Sequence, residues 1–199
     1  MSTSSVPQWV VNAAEWDMDP YVIVCRALKD AGVPFLVIGA FGINLHAIEM
    51  GKGVVTHDLD LLLPARSEPL AHAFRSLAQA GATFTWMGES LPIPNEWLLA
   101  DLVRARACIK VTLGLGEIDL VLLAAGLDFD ELWPRREART LGTLSVDTIP
   151  LVDLLRSKAA ANRSKDRFFL EIWREQLGEM LQADERRRAR CAPDPPDAP

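Results

Sequence analysis

The sequence predicts an α/β fold of the mixed α+β kind, in which helices flank a mixed β-sheet and further helices follow at the C-terminal end. Three observations support this prediction. Short apolar runs bounded by Gly or Pro alternate with amphipathic segments between residues 20 and 80. Two further apolar runs, at 108–113 and 117–123, flank a turn that contains two glycines. From residue 150 onward the hydrophobic periodicity is helical.

The composition is that of one ordinary domain with a small appendage. The chain has 199 residues, of which 49% are hydrophobic and 24% are charged. Its net charge of -6 disfavours binding to nucleic acid through overall charge, so any such contact would need a local basic patch. The three cysteines are widely spaced, which predicts reduced thiols in a cytoplasmic protein. We find neither a signal peptide nor an apolar run of the roughly 20 residues that a membrane span requires.

We divide the chain into four parts on the basis of composition and pattern. Residues 1–17 form a polar lead-in, and residues 18–149 form the α/β core. Residues 150–190 form a helical region that we expect to pack on the core. Residues 191–199 are rich in proline and are predicted to be a disordered tail.

The first predicted helix has clear signals at both ends. Asp19 is its N-cap, Pro20 occupies the first helical position, and Gly32 ends it. A short apolar strand follows at 35–38, and Gly39 breaks it. The order of these signals predicts a strand that turns directly into a second helix.

The second and third predicted helices enclose the next strand. The pattern predicts a helix at 41–50 that ends at a pair of glycines, Gly51 and Gly53. A strand at 59–63 follows and is closed by a proline. The next helix, at 67–80, has Ser67 as its predicted cap and a glycine as its stop signal.

The rest of the core and the C-terminal region follow from turn residues and periodicity. The predicted elements are a strand at 82–87, a loop at 88–98, a β-hairpin at 108–123, a short turn or helix at 127–133, and an edge strand at 140–149. The final helical region begins at Pro150 and has a predicted break near Asn162.

Three acidic residues are the strongest candidates for a site. Asp58 and Asp60 are two residues apart on a predicted strand, so their side chains point to the same face. Neighbouring carboxylates repel each other unless a cation, a shared proton or solvent relieves them. Asp60 and Asp119 both lie in apolar runs, where a charge is costly unless it is paired or metal-bound. We therefore favour a site for a hard divalent cation such as Mg²⁺ over capping and solvated roles for these residues.

Two other segments offer groups that bind phosphate. Gly39 and Ala40 stand at a strand-to-helix turn, where a phosphate can approach the backbone and meet free N–H groups. The segment 156–169 carries five basic residues against one acid. We expect Lys158 and Arg163 to face the carboxylates and to bind phosphate, whereas the other basic residues form a solvated helix face.

Several other reactive residues are interpreted as structural. The Arg-rich stretch 185–190 is predicted to be a solvated helix end rather than an RNA-binding segment. His46 lies on an apolar helix and is predicted to be a packing residue, while the spacing of His57 does not decide its role. Ser90 and Cys108 have no base partner in the sequence pattern, so nucleophilic catalysis is not expected.

The three blocks together resemble the nucleotidyltransferase superfamily of the DNA polymerase β type. Its hallmark is a strand, a Gly-Gly or Gly-Ser turn, a helix, a strand with Asp-x-Asp and a third acid on a later strand. The matching residues are Gly39-Ala40, Asp58-Leu59-Asp60 and Asp119. The segment 153–166 is similar to a helix of small bacterial members that include the AbiE-type toxins of toxin–antitoxin systems. The chain departs from the pattern at Ala40, which lacks the hydroxyl of Ser, and at Val55, where many relatives have Arg.

The resemblance implies a role for each matching residue. Asp58, Asp60 and Asp119 would be both the catalytic residues and the ligands of Mg²⁺ or Mn²⁺. The implied nucleotide-binding residues are Gly39, Ala40, Thr56, Lys158, Arg163 and Asp166. The implied substrate is a nucleoside triphosphate, the acceptor is an RNA end such as tRNA or a small molecule, and the implied protein partner is an antitoxin. The alternative is a catalytically inactive member that binds a nucleotide or a protein through the same fold.

Overall fold

The computed structural model describes residues 19–48, 56 and 58–191. The predicted lead-in and the tail beyond residue 191 lie outside these residues. So do the predictions made for Gly51, Gly53, Val55 and His57.

In the described part of the chain, eight strands form one mixed sheet in the order β4-β3-β5-β6-β2-β1-β8-β7. The strands are β1 (Leu36–Ile38), β2 (Asp58–Leu62), β3 (Thr83–Trp86), β4 (Glu89–Ser90), β5 (Cys108–Leu113), β6 (Gly116–Val121), β7 (Glu137–Leu141) and β8 (Leu144–Thr148). The pairs β2–β6 and β1–β8 are parallel, and the other neighbours are antiparallel. The predicted mixed sheet is therefore confirmed.

Helices cover both faces of this sheet. They are α1 (Pro20–Asp30), α2 (Gly39–Ile48), α3 (Ser67–Gln79), α4 (Glu96–Arg104), α5 (Phe129–Leu132), α6 (Leu151–Ala161), α7 (Ser164–Ile172) and α8 (Arg174–Cys191). Apolar residues of α1, α3 and α4 form one core against the sheet, and those of α2, α6 and α8 form a second core. No described helix has the length and apolar character needed to cross a membrane. The flanking and C-terminal helices agree with the predicted fold class.

Alternation along β2 and β6 assigns their residues to the two cores. Leu59 and Leu61 of β2 are fully buried in the first core, and Leu120 of β6 lies beside them. The residues between them point to the second face. On that face the apolar core covers only one end of β2 and β6, so the acidic residues at the other end remain accessible to a ligand.

The structure agrees with the predicted signals of the first and last helical segments. Asp19 caps α1, because its Oδ1 accepts hydrogen bonds from the backbone N–H groups of Tyr21 at 2.8 Å and Val22 at 3.4 Å. The predicted break near Asn162 lies between α6 and α7, where this residue has a left-handed backbone with φ of 48°. The last helix includes Cys191, one residue beyond its predicted end.

Four local predictions differ from the structure. Ser67 is the first residue of α3 rather than its cap, a position taken by Arg66 without a side-chain cap bond. The second helix begins at Gly39, two residues early, because the positive φ of this glycine turns the strand directly into the helix. The predicted loop at 88–98 contains β4 and the start of α4, capped by Asn95. The predicted edge strand at 140–149 is the β7–β8 hairpin, of which only β7 lies at the edge.

Candidate active site

A pocket of about 600 Å³ opens on the second face of the sheet, between β2, β6 and helices α6 and α7. All nine residues that the sequence and the resemblance single out line it, namely Gly39, Ala40, Thr56, Asp58, Asp60, Asp119, Lys158, Arg163 and Asp166. They come from segments that are far apart in the sequence and are separated by as many as 127 positions, as for Gly39 and Asp166. The structure thus brings these residues together, while their roles remain predictions.

The three aspartates lie on two adjacent parallel strands. Asp60 of β2 is directly opposite Asp119 of β6, and Asp58 is opposite Glu117 one step along the same face. Neighbouring strands are about 4.8 Å apart, so the carboxylates of Asp60 and Asp119 project side by side. This is the convergence that a shared cation site requires.

The carboxylate of Asp60 lies in an electrostatically unfavourable environment. Burial raises its pKa above the usual range, and the negative charges of Asp119 and Asp58 raise it further. The positive charges of Lys158 and Lys165 act in the opposite direction. Among the described residues, no hydrogen bond or ion pair joins this carboxylate to a partner. Its ionised form therefore lacks the compensation that buried charges normally have.

Gly39 fits closely against Asp60, and its position requires glycine for two reasons. Its φ of +67° is in the left-handed region that residues with a side chain rarely adopt. A Cβ atom at this position would also overlap Oδ2 of Asp60. Together with Ala40, this residue forms the N-terminus of α2 at the pocket wall, where free backbone N–H groups favour an anion.

The basic side of the pocket is organised by Asp166. Its side chain is only 1% exposed and accepts a hydrogen bond from Nε of Arg163 at 2.6 Å. Nζ of Lys158 lies 3.5 Å from the same carboxylate and 4.5 Å from the centre of the Phe169 ring. Burial raises the pKa of Asp166, but the hydrogen bond from Arg163 and the charge of Lys158 outweigh it and hold that pKa below the usual range. The acid therefore fixes two cations at the pocket.

The sequence reasoning did not identify Lys110, which forms an ion pair with Asp119. Its Nζ lies 3.0 Å from Oδ1 of Asp119, and this hydrogen bond raises the pKa of the lysine. The two residues are directly opposite each other in the β5–β6 hairpin. A two-residue turn at Gly114-Leu115 sets this register, whereas the three-residue turn between the predicted strands would place Lys110 opposite Leu120.

Cys108 lines the same pocket, but its chemistry is not that of a nucleophile. Burial, followed by the charge of Asp119, raises the pKa of its thiol to about 11, so the reactive thiolate is scarce near neutral pH. Ser90 lies on β4, outside the residues that line the pocket. Thr56 contacts the Asp-x-Asp segment, since its Oγ1 accepts a hydrogen bond from the backbone N–H of Asp58 at 3.4 Å.

A second group of potential metal ligands lies elsewhere, between α2, β7 and α8. It consists of His46, Glu137 and Asp184. His46 Nε2 donates to the backbone carbonyl of Ile149 at 2.9 Å, which leaves Nδ1 to accept from Arg139 at 3.0 Å. Both imidazole nitrogens are therefore engaged, and the burial expected for this residue is observed.

The two acids of this group are engaged as well. Oε2 of Glu137 is 2.5 Å from Arg139 and 3.0 Å from Arg187, and its Oε1 accepts from Arg188. Asp184 is 2.7 Å from Arg187 and 2.9 Å from Arg188. Guanidinium groups thus already supply the positive charge that a metal ion would bring, so this group does not fit a metal site.

The sequence matches no protein-family model and no curated protein. Among solved structures, the chain is similar to the crystal structure of ANT(2″)-Ia in complex with adenylyl-2″-tobramycin. The similarity covers 90% of this chain and 99% of that chain, with 11% sequence identity and a TM-score of 0.49. A similarity this weak does not establish an activity, and the resemblance to AbiE-type toxins stays a prediction.

Proposed function

We propose that this protein is a divalent-metal-dependent nucleotidyltransferase, which transfers a nucleoside monophosphate from a nucleoside triphosphate to an acceptor hydroxyl. The observation that carries this proposal is the convergence of Asp58, Asp60 and Asp119 at one end of a pocket whose other wall is basic. Asp60 in particular is a poorly compensated carboxylate whose ionised form a cation would stabilise.

The donor set fits Mg²⁺ or Mn²⁺. These ions prefer carboxylate oxygens and retain several waters, and the pocket offers carboxylates in an accessible cavity of about 600 Å³. Asp58, Asp60 and Asp119 would hold the ions. When bound, such ions neutralise triphosphate charge and activate an attacking hydroxyl.

The chain's own groups would bind the phosphates and move the proton. Lys158 and the N-terminus of α2 would bind the triphosphate oxygens, while Asp166 keeps the lysine in place. The acceptor oxygen would form a bond to the α-phosphorus. At the same time, the bond from the α-phosphorus to the oxygen that bridges it to the β-phosphorus would break. Pyrophosphate would leave, and the proton of the acceptor would pass to Asp119.

The acceptor is proposed to be either an RNA end, such as tRNA, or a small hydroxylated molecule. The exposed basic residue Arg163 at the pocket favours a polyanion, whereas the net charge of -6 favours a small molecule. A toxin role with an antitoxin partner would accompany the RNA acceptor.

A transfer assay with labelled nucleoside triphosphates tests the proposal. The protein would be incubated with each triphosphate, Mg²⁺ or Mn²⁺, and either tRNA or a panel of small hydroxylated acceptors. We expect label transfer and pyrophosphate release, with both lost in Asp58→Ala and Asp119→Ala. Nucleotide binding without transfer to any acceptor would instead support an inactive binding protein of this fold.

A further inference from the structure

The ion pair between Lys110 and Asp119 indicates a role that the proposed function does not include. We infer that Lys110 is a built-in competitor for the divalent ion at Asp119, and that it keeps this position weakly loaded until the nucleotide binds. The inference rests on the proposed function, because it takes Asp119 to be an ion ligand. It adds a role for a residue of β5, a strand to which the resemblance assigns nothing.

The geometry supports direct competition. Nζ of Lys110 lies 3.0 Å from Oδ1 of Asp119 and therefore occupies a direction from which this oxygen would bind a cation. Strand β5 holds the lysine directly opposite the aspartate, and both side chains project from the same face of the sheet. The register of the hairpin therefore places the ammonium group of Lys110 beside the carboxylate of Asp119.

The pair is built so that it can separate. The side chain of Lys110 is 62% exposed, whereas that of Asp119 is 23% exposed. An ion pair with one largely exposed partner is weak, so the lysine can move into solvent at little cost. The competition is therefore reversible, unlike that of a buried guanidinium.

Asp60 provides the contrast within the same pocket. No described residue pairs with its carboxylate, and the carboxylate of Asp119 is its neighbour on the next strand. Among the described residues, an ion held by Asp58 and Asp60 displaces no cation, whereas an ion bound at Oδ1 of Asp119 competes with Lys110. The two positions should therefore load in that order. A triphosphate brings several negative charges into the pocket and favours the second ion.

Mn²⁺ titration of the nucleotide-free protein tests this inference. The free-ion signal in electron paramagnetic resonance reports the bound fraction in a buffer of about 0.15 M KCl. The variant is Lys110→Met, and the matched control is Lys165→Met, which removes the same charge from an exposed lysine lining the same pocket. We expect Lys110→Met to tighten the weaker Mn²⁺ site about two- to five-fold. The control should change it by less than about 1.5-fold, because the ion pair with Asp119 is formed by Lys110 and not by Lys165.

Several results would overturn the inference. Equal Mn²⁺ affinity in wild type and Lys110→Met would do so, as would a weaker affinity in the variant. Equal tightening in both lysine variants would show an effect of net charge alone and would also overturn it. If wild type binds no Mn²⁺ in this pocket, the proposed function fails and this inference fails with it. Because saturable binding by wild type is measured first, the two failures are distinguished.

Discussion

The molecule contains two groups of acidic side chains whose partners differ. Around Glu137 and Asp184, guanidinium groups satisfy the carboxylates, and the imidazole of His46 accepts a hydrogen bond from one of these guanidinium groups. Around Asp58, Asp60 and Asp119, the described residue that forms an ion pair is the largely exposed Lys110, which pairs with Asp119. The first group fastens α8 to the edge of the sheet, whereas the second leaves negative charge facing a cavity.

This difference shows which observation distinguishes a candidate ion site from a structural one. Proximity of acidic and imidazole groups is present at His46, Glu137 and Asp184. Positive charge is not lacking in that group, because arginines pair with both carboxylates. A raised pKa at Asp60, caused by burial and then by Asp119 and Asp58, records such a deficit at the pocket. The comparison can be tested by removing one group from each cluster.

The largest expected effect is that of Asp60→Asn on transfer. If this carboxylate holds the ions, nucleotidyl transfer should fall at least about 1,000-fold, an effect comparable to losing other preorganised charge-stabilising groups. The same change should stabilise the ion-free protein by about 1 kcal/mol, because it removes a poorly compensated charge. The sign follows from the raised pKa, since ionisation of Asp60 near neutral pH is less favourable in the folded state than in the unfolded state. Transfer assays and urea unfolding in a chelating buffer measure the two effects. Loss of stability together with loss of transfer would indicate a structural role instead.

The next largest effect is that of Glu137→Gln, which should act on stability alone. The change removes the shared partner of Arg139, Arg187 and Arg188, and it leaves the deeply buried guanidinium of the first without its acid. We expect the free energy of unfolding to fall by about 3 kcal/mol. Glu171→Gln is the matched control, since it breaks an exposed pair and should cost less than about 0.5 kcal/mol. Weaker Mn²⁺ binding in folded Glu137→Gln would contradict the separation of the two groups.

A third test concerns the fit between Gly39 and Asp60. Gly39→Ala should reduce transfer about 10- to 100-fold, because the added Cβ would displace the carboxylate. Gly32→Ala is a close control: its φ is also +67°, but its Cβ would meet nothing within 4 Å. Both variants should lose about 1 kcal/mol of stability from the left-handed backbone, as urea unfolding would show. Equal transfer by the two variants would mean that the contact with Asp60 does not matter.

The smallest effect is a pH dependence of stability at His46. Burial, opposed in part by the bond to the Ile149 carbonyl, lowers the pKa of this imidazole, and the charge of Arg139 lowers it further. The unfolded chain therefore takes up a proton first as the pH falls below about 6.5. We expect stability to decline as the pH falls from 7 through the folded-state pKa, by no more than about 1 kcal/mol. His46→Gln should flatten this part of the profile in urea unfolding, and an unchanged slope would contradict the assignment.

Much of the fold could be predicted because its signals are local. The cap and first turn at Asp19-Pro20 and the alternation along β2 depend only on neighbouring residues. The start of α4 was missed because Pro and Gly at 88–98 indicate a loop, and burial of Leu99 and Leu102 against the sheet was not visible. The long-range order of the strands is likewise set by packing rather than by local pattern.

The sequence was sufficient to predict the acidic residues of the candidate site. It was not sufficient to predict which residues lie next to them. Asp58, Asp60 and Asp119 stand out because charges are unexpected in apolar runs. Their different surroundings depend on which residues lie opposite each other across strands. Lys110 faces Asp119 only once the hairpin register is known, and the closeness of Gly39 to Asp60 depends on the β1–β2 pairing. Such relations require the three-dimensional arrangement.

The location of bound Mn²⁺ tests the central claim most directly. Crystals soaked in Mn²⁺ with a non-reactive nucleoside triphosphate analogue would locate the ion through its anomalous scattering. We predict an anomalous peak between Asp58, Asp60 and Asp119, and none at His46, Glu137 and Asp184. A peak at the second group, or a nucleotide-filled pocket whose carboxylates hold no ion, would contradict it.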